Sequence, residues 1–225
     1  MSKLALFQKL IVSKQSLLKC IFTTLIFQII ITTLVFNNVR TNPNRYNILF
    51  NKRNTIPILI ALIVVDIILI IAMTTLNINF YFKFLIFILF SVIQGAVLGV
   101  TLKYVDHTII NSALISTLAI FVVFLAFGLI TVYFKLNLTW LGVLLFICLI
   151  LIIVSRIVFI FISKNKSANR YISIASLILF SLYILYDTNN ILLKYKNSDS
   201  DCINGALQYY LDIINIFANS FSTDN

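Results

Sequence analysis

The segments FSLYILYDTNN (residues 180–190) and ALQYYLDIINIF (residues 206–217) decide the fold, because each is an apolar stretch with one aspartate inside it. These aspartates are Asp187 and Asp212. A carboxylate at the depth of a lipid bilayer costs several kcal/mol unless it is partnered, protonated or in contact with water. Two of them, on hydrophobic segments joined by a short loop, predict a site.

The composition around these segments predicts a polytopic membrane protein. The chain is 61% hydrophobic and 11% charged, whereas soluble domains are about 45–50% apolar and about 25% charged. We expect one membrane-embedded helical domain over residues 20–225, preceded by a basic arm over residues 1–19. The arm is expected to anchor the chain at the membrane surface, with a specific lipid site as the alternative.

The predicted fold is all-α, with seven transmembrane helices, because each apolar stretch between charged residues is long enough to cross a bilayer core of about 30 Å. The last of these also suits a helix that crosses only part of the membrane. The predicted spans are Cys20–Val39, Thr55–Phe82, Phe84–Leu102, Thr108–Phe134, Leu136–Ser155, Tyr171–Leu193 and Cys202–Thr223.

The charge distribution favours a lipid partner. The net charge is +10, but the lysines and arginines divide almost evenly between the two membrane faces, so they do not decide the orientation. Charge spread in this way favours the lipid bilayer and its anionic headgroups and argues against nucleic acid. Cys20, Cys148 and Cys202 are expected to be buried, unreactive thiols.

The spacing of Asp187 and Asp212 lets their carboxyl groups meet. Measured from the loop between their helices, they lie at depths of roughly 10 Å and 16 Å, a difference of about one helical turn. A tilt or an asymmetric loop can absorb that difference. Two carboxylates in contact do not both ionise cheaply and share a proton. The pair is therefore predicted to act as a pH-sensitive latch.

The segment around Asp212 carries a polar stripe. Its members are spaced by three or four residues and fall on one helix face. Such a stripe predicts either a wet cavity or a set of hydrogen bonds that hold the bundle together. The stripe consists of Asn204, Gln208, Asp212, Asn215 and Asn219.

A third aspartate within a span, Asp66, has two interpretations. It either completes a cavity with the other two or pairs with Lys83 or Arg156 near a helix end. Gln94 lies beside the G-x-x-x-G spacing of Gly95 and Gly99, which predicts close helix packing. Gln94 is also a candidate for lining the same cavity.

The motifs Tyr186-Asp187-Thr188 and Tyr210-Leu211-Asp212, the latter followed by Ile214-Asn215, resemble the signature of the Bax-inhibitor family, most closely its Lifeguard and Golgi anti-apoptotic branch. The resemblance is strong over residues 171–221. It implies seven helices around a central C-terminal helix, pH-sensitive calcium leak across endoplasmic reticulum or Golgi membranes (of a host, if the source is viral), and suppression of cell death. It also implies that Asp187 and Asp212 form the pH-sensing gate. Gln94 departs from the glutamate that relatives often carry.

These patterns lead to two hypotheses of different class. The first is a cation leak protein in which Asp187 and Asp212 bind Ca²⁺ transiently as the permeant ion, since calcium prefers oxygen ligands and conduction requires release. The second is a non-conducting protein that blocks cell death by binding membrane-bound cell-death regulators. No cofactor is expected. Two aspartates in neighbouring spans could also suit an intramembrane aspartyl protease, but such a site would need glycine flexibility before Asp212, so no enzyme activity is expected.

Overall fold

The computed structural model describes residues 3–50, 55–76, 79–162, 166–195 and 198–221, and all regular secondary structure in those ranges is helical. The prediction of an all-α fold is confirmed there. The helices are α1 (Lys3–Ser13), α2 (Gln15–Thr41), α3 (Asn47–Phe50), α4 (Thr55–Thr75), α5 (Phe80–Thr101), α6 (His107–Tyr133), α7 (Thr139–Ile162), α8 (Lys166–Lys194) and α9 (Asp199–Ser220).

Six of these helices are long and apolar enough to cross a membrane, namely α2 and α4 to α8. Within the described residues α9 is not among them, although it has 22 residues. The reason is its polar stripe, which lowers its hydropathy. The count of seven spans therefore stays a prediction, and the end predicted for the last one, Thr223, lies outside the described residues.

One predicted boundary was wrong. The spans were expected to separate at Lys83, but α4 ends at Thr75 and α5 begins at Phe80. Asn79 caps α5, since its side chain accepts a hydrogen bond of 3.0 Å from the backbone of Phe82. Lys83 thus lies inside the helix, 3% exposed, and its ammonium interacts electrostatically with Asp201. A lysine can be buried in this way because its long aliphatic stem packs against apolar groups and its charge is partnered.

The chain forms two compact units. The first consists of Met1–Gln15, Asp106–Lys196 and Gln208–Asn225, and it holds α1, α6, α7, α8 and most of α9. The second consists of Ser16–Val105 and Asn197–Leu207. Asp187 and Asp212 both belong to the first unit, whereas Asp66 and Gln94 belong to the second.

In the second unit, two glycines allow α5 to approach α2 closely. A Cβ atom added at Gly95 would lie 2.7 Å from the carbonyl oxygen of Thr32, and one added at Gly99 would lie 2.8 Å from the Cβ of Val39. Neither position has room for a side chain. The prediction that this G-x-x-x-G spacing marks close helix packing is confirmed.

The interpretation of the cysteines needs a correction. Cys20 and Cys202 form a disulfide between the start of α2 and the first turn of α9, across 182 positions of sequence. Only Cys148 is a free thiol. Spacing along the chain could not reveal the bond, because it depends on which helix ends the fold brings together.

Candidate functional site

Two buried carboxyl groups in the first unit form a hydrogen-bonded pair. Asp187 is 5% exposed on α8, Asp212 is 3% exposed on α9, and their side chains are hydrogen-bonded to each other. Two carboxyl groups this close do not both ionise cheaply. Within the described residues, Oδ2 of Asp212 has no hydrogen-bond partner. The two carboxyl groups that the spacing allows to meet lie close together, and their role as a pH-sensing gate stays a prediction.

A second hydrogen bond joins the same two helices beside the aspartates. The hydroxyl groups of Thr188 and Tyr209 lie 2.9 Å apart. Thr188 also donates a hydrogen bond of 2.7 Å to the carbonyl oxygen of Ile184. Because its single hydroxyl hydrogen is used there, Tyr209 is the donor to Thr188. Nothing in the sequence pattern indicated this contact of Tyr209.

Close packing of α6 positions the part of α8 that carries Asp187. A Cβ atom added at Gly128 would lie 2.5 Å from the Cβ of Thr188, so only glycine allows this approach. The side-chain amide of Asn189 donates to the hydroxyl of Thr131 at 2.9 Å and to the carbonyl oxygen of Leu136 at 3.3 Å. Three successive residues of α8, from Asp187 to Asn189, thus face partners that fix the helix in place.

A half-buried arginine near the end of α9 lies where the sequence did not predict it. Arg156 was considered as a partner of Asp66, but its guanidinium donates hydrogen bonds to Oδ1 of Asn219 and, at 3.3 Å, to the hydroxyl of Ser176. The contact with Asn219 connects α7 to α9. An arginine after a long apolar run was expected to mark a helix end, and the structure instead places it inside α7.

The residues of the polar stripe differ in their hydrogen-bond partners. Gln208 accepts from the hydroxyl of Tyr195 at 2.9 Å. Asn215 and Asn219 donate to carbonyl oxygens of their own helix, each at 2.7 Å. Asn204, in contrast, has a buried Oδ1 without a partner in the described part of the chain. These bonds favour a packing role for Gln208, Asn215 and Asn219, and a pathway along the whole stripe stays a prediction.

Asp66 has an amide partner in the second unit. The side chain of Gln94 donates a hydrogen bond of 3.1 Å to its Oδ2, and its buried Oδ1 has no partner among the described residues. Among the described residues, the partner of Asp66 is thus Gln94, and the predicted pairing with Lys83 or Arg156 is wrong. The pore-lining roles predicted for Asp66 and Gln94 remain predictions.

The two aspartates offer few ligands to a metal ion. Within the described residues, no group of three or more His, Cys, Asp or Glu side chains is close enough to hold a metal ion. Calcium binds six to eight oxygen atoms in stable sites. Asp187 and Asp212 together supply at most four carboxylate oxygens, fewer than such a site uses.

Comparison with known proteins finds a matching family model and relatives whose names refer to apoptosis. The model of the family described as "Inhibitor of apoptosis-promoting Bax1" matches residues 14–221. Bax inhibitor 1 of Schizosaccharomyces pombe is 32% identical over 139 residues, which are 62% of this chain and 49% of that protein.

Two further relatives come from a plant and a virus. The BI1-like protein of Arabidopsis thaliana is 27% identical over 84% of this chain and 72% of its own length. The Golgi anti-apoptotic protein of Vaccinia virus (strain Lister) is 28% identical over 57% of this chain and 52% of its own length. The chain spans about half the length of the fission-yeast and viral relatives that it matches.

Proposed function

The chain belongs to the Bax inhibitor family, and on that premise we propose that it is a cation leak protein of an intracellular membrane, with calcium as the permeant ion and a proton shared by Asp187 and Asp212 as its gate. The observation that carries this proposal is the hydrogen bond between two buried carboxyl groups on α8 and α9. By limiting calcium stores, such a leak would inhibit cell death, as the names of two relatives suggest. The Golgi or endoplasmic reticulum membrane is the proposed location.

The shared proton keeps the pair closed for an electrostatic reason. With one proton, the pair carries one negative charge and a hydrogen bond. After that proton is lost, two like charges about 4 Å apart repel by about 4 kcal/mol at an effective dielectric constant of 20. This repulsion pushes α8 and α9 apart at the level of the aspartates, so higher pH favours the open state.

The same deprotonation favours entry of a cation. Two ionised carboxylates provide the hard oxygen ligands that calcium prefers. Oδ2 of Asp212, which has no partner in the described structure, is the oxygen already available for such a contact. A cation between the two carboxylates offsets their repulsion, and its few ligands let it leave.

The proposal is tested by calcium efflux from liposomes that hold the purified protein, measured between pH 5 and 8. We expect the efflux of the wild type to rise with pH. Asp212→Asn and Asp187→Asn should each remove that dependence, because an amide keeps the hydrogen bond but has no proton to lose. An unchanged pH dependence in both variants would contradict the gate.

One observation favours the second candidate, a non-conducting protein that acts by binding membrane-bound cell-death regulators. Asn215 and Asn219 use their amides to bond their own helix, as expected of side chains that serve packing. Under this hypothesis, liposomes with the protein leak no faster than empty ones at any pH. The Asp187→Asn, Asp212→Asn double variant would then still protect cells from death.

A further inference from the structure

A cavity in the first unit lies where α6 and α8 end and α7 begins. Its volume is about 370 Å³, which falls in the range of roughly 300–1,000 Å³ that is typical of small-molecule sites. Helix α1 forms one wall through Leu6, Phe7 and Leu10, so much of the lining is apolar. Because consecutive spanning helices alternate in direction, these ends of α6, α7 and α8 share one membrane face.

Three lysines line this cavity although they are far apart in sequence. They are Lys3 from α1, Lys135 from the turn between α6 and α7, and Lys194 at the end of α8. None of the cavity-lining residues is acidic. The charges therefore repel one another and favour an anionic group among them.

Helix α1 is held against the other helices of the first unit at its middle and just after its last residue. The ring of Phe7 packs edge-on against that of Tyr133, with 5.6 Å between the centroids. The ammonium group of Lys14, just after α1, donates a hydrogen bond to the backbone carbonyl of Tyr195. The apolar wall and Lys3 thus belong to a built cavity rather than to a loose arm.

Lys135 has a left-handed backbone conformation, which residues other than glycine rarely adopt. Its φ is 56°, and it is the only residue other than glycine in the described ranges with a positive φ. The backbone amides of Lys135 and Leu136 bond the carbonyl oxygens of Val132 and Thr131, at 3.0 and 2.9 Å. Glycine is the usual residue at this position of a helix C-terminus, and another residue costs roughly 1–2 kcal/mol. Strain of this kind is typical of a functional position.

We propose that this cavity is a binding site for an anionic phospholipid, with the phosphate among Lys3, Lys135 and Lys194 and the start of an acyl chain against the apolar wall of α1. A lipid fits better than a soluble anion, because the cavity joins a cationic rim to an apolar wall at a membrane face. The proposal does not depend on calcium conduction.

The test measures lipid bound to the full-length protein by native mass spectrometry, from micelles that contain phosphatidylglycerol or phosphatidylcholine with identical chains. We expect the wild type to retain phosphatidylglycerol preferentially. A lysine near an anionic headgroup contributes enough to change binding about fivefold. Lys135→Gly and Lys194→Gln should each weaken phosphatidylglycerol binding by about that factor.

The matched control is Lys103→Gln, which removes the same charge from the second unit, where the ammonium lies 4.2 Å from the ring centre of Phe50. It should change binding less than about twofold. Because Lys135→Gly relieves backbone strain, it should raise the unfolding temperature. Weaker lipid binding by this more stable variant would then come from the lost lysine charge and not from misfolding. An equal loss in the control, equal retention of phosphatidylcholine, or displacement of the lipid by millimolar glycerol 3-phosphate would overturn the proposal.

Discussion

The hydroxyl groups of Thr188 and Tyr209 lie 2.9 Å apart in a buried hydrogen bond that joins α8 to α9. Thr188 directly follows Asp187, and Tyr209 precedes Asp212 by three residues. This bond between two uncharged groups joins the same helices as the carboxyl pair. If the proposed gate loses its proton, the bond should hold part of the contact between α8 and α9.

Replacing Tyr209 with phenylalanine should weaken this contact without disturbing the packing. The phenyl ring keeps the edge-on contact with Phe121, whose centroid lies 5.4 Å away. Loss of the hydroxyl should lower the free energy of unfolding by about 0.5–1.5 kcal/mol. If α8 and α9 separate when the proposed gate opens, calcium efflux should also begin at a lower pH than in the wild type.

Both effects of Tyr209→Phe can be measured by thermal unfolding in detergent and by the liposome assay. Tyr171→Phe is the control, since the Tyr171 side chain is 72% exposed. Equal effects of the two substitutions would show that the bond to Thr188 contributes nothing specific.

Gly128→Ala should destabilise the protein more than Gly142→Ala. The added methyl group at position 128 would meet the Cβ of Thr188 at 2.5 Å, close to the backbone of α8. At position 142 it would meet the end of the Tyr186 ring, also at 2.5 Å, but that ring can rotate away. Overpacking costs typically about 1–3 kcal/mol, while alanine gains about 1 kcal/mol over glycine in a helix.

Thermal unfolding of the two alanine variants decides this comparison. We expect Gly128→Ala to have the lower free energy of unfolding by at least about 1 kcal/mol, with Gly142→Ala near the wild type. Equal stability would mean that α6 can move away from α8 without cost.

The sequence allowed the helical class and the aspartate contact to be predicted, because both depend on local patterns. Apolar runs predict helices in a bilayer, and a short loop between two runs places Asp187 and Asp212 side by side. The positions of Lys83 and Arg156 were predicted wrongly for the same reason: a charged residue was assumed to mark the end of a helix. Inside their helices they interact with partners from distant segments, Lys83 with Asp201 and Arg156 with Asn219, which spacing along the chain does not reveal.

Asn219→Ala should destabilise the protein because it removes an acceptor from the half-buried guanidinium of Arg156. Arg156 would keep only its longer contacts to hydroxyl groups, such as that of 3.3 Å to Ser176. A hydrogen bond to a charged group contributes about 1.5–3 kcal/mol, so a loss of that size is expected in thermal unfolding. Asn219→Asp should retain the stability, since a carboxylate accepts the same bond and adds an opposite charge.

Asn215→Ala is the matched control for Asn219→Ala. The Asn215 amide bonds the carbonyl oxygen of Leu211 in its own helix, and alanine has the higher helix propensity. We therefore expect a change within about 0.5 kcal/mol. A loss as large as that of Asn219→Ala would mean that the stripe acts as a unit and that Arg156 is not its particular partner.

The disulfide between Cys20 and Cys202 makes the orientation of the protein measurable. Disulfides persist in oxidising compartments and are rare in the cytosol. Both cysteines lie near the membrane face at which α2 begins, so a formed bond indicates that this face is on the lumenal side.

Denatured protein from intact membranes, treated with a maleimide polymer without reductant, should gain one label, at Cys148. After reduction it should gain three, and a Cys202→Ser variant should gain two under either condition. Three labels on the wild type without reductant would instead place the two thiols, and the start of α2, in the cytosol.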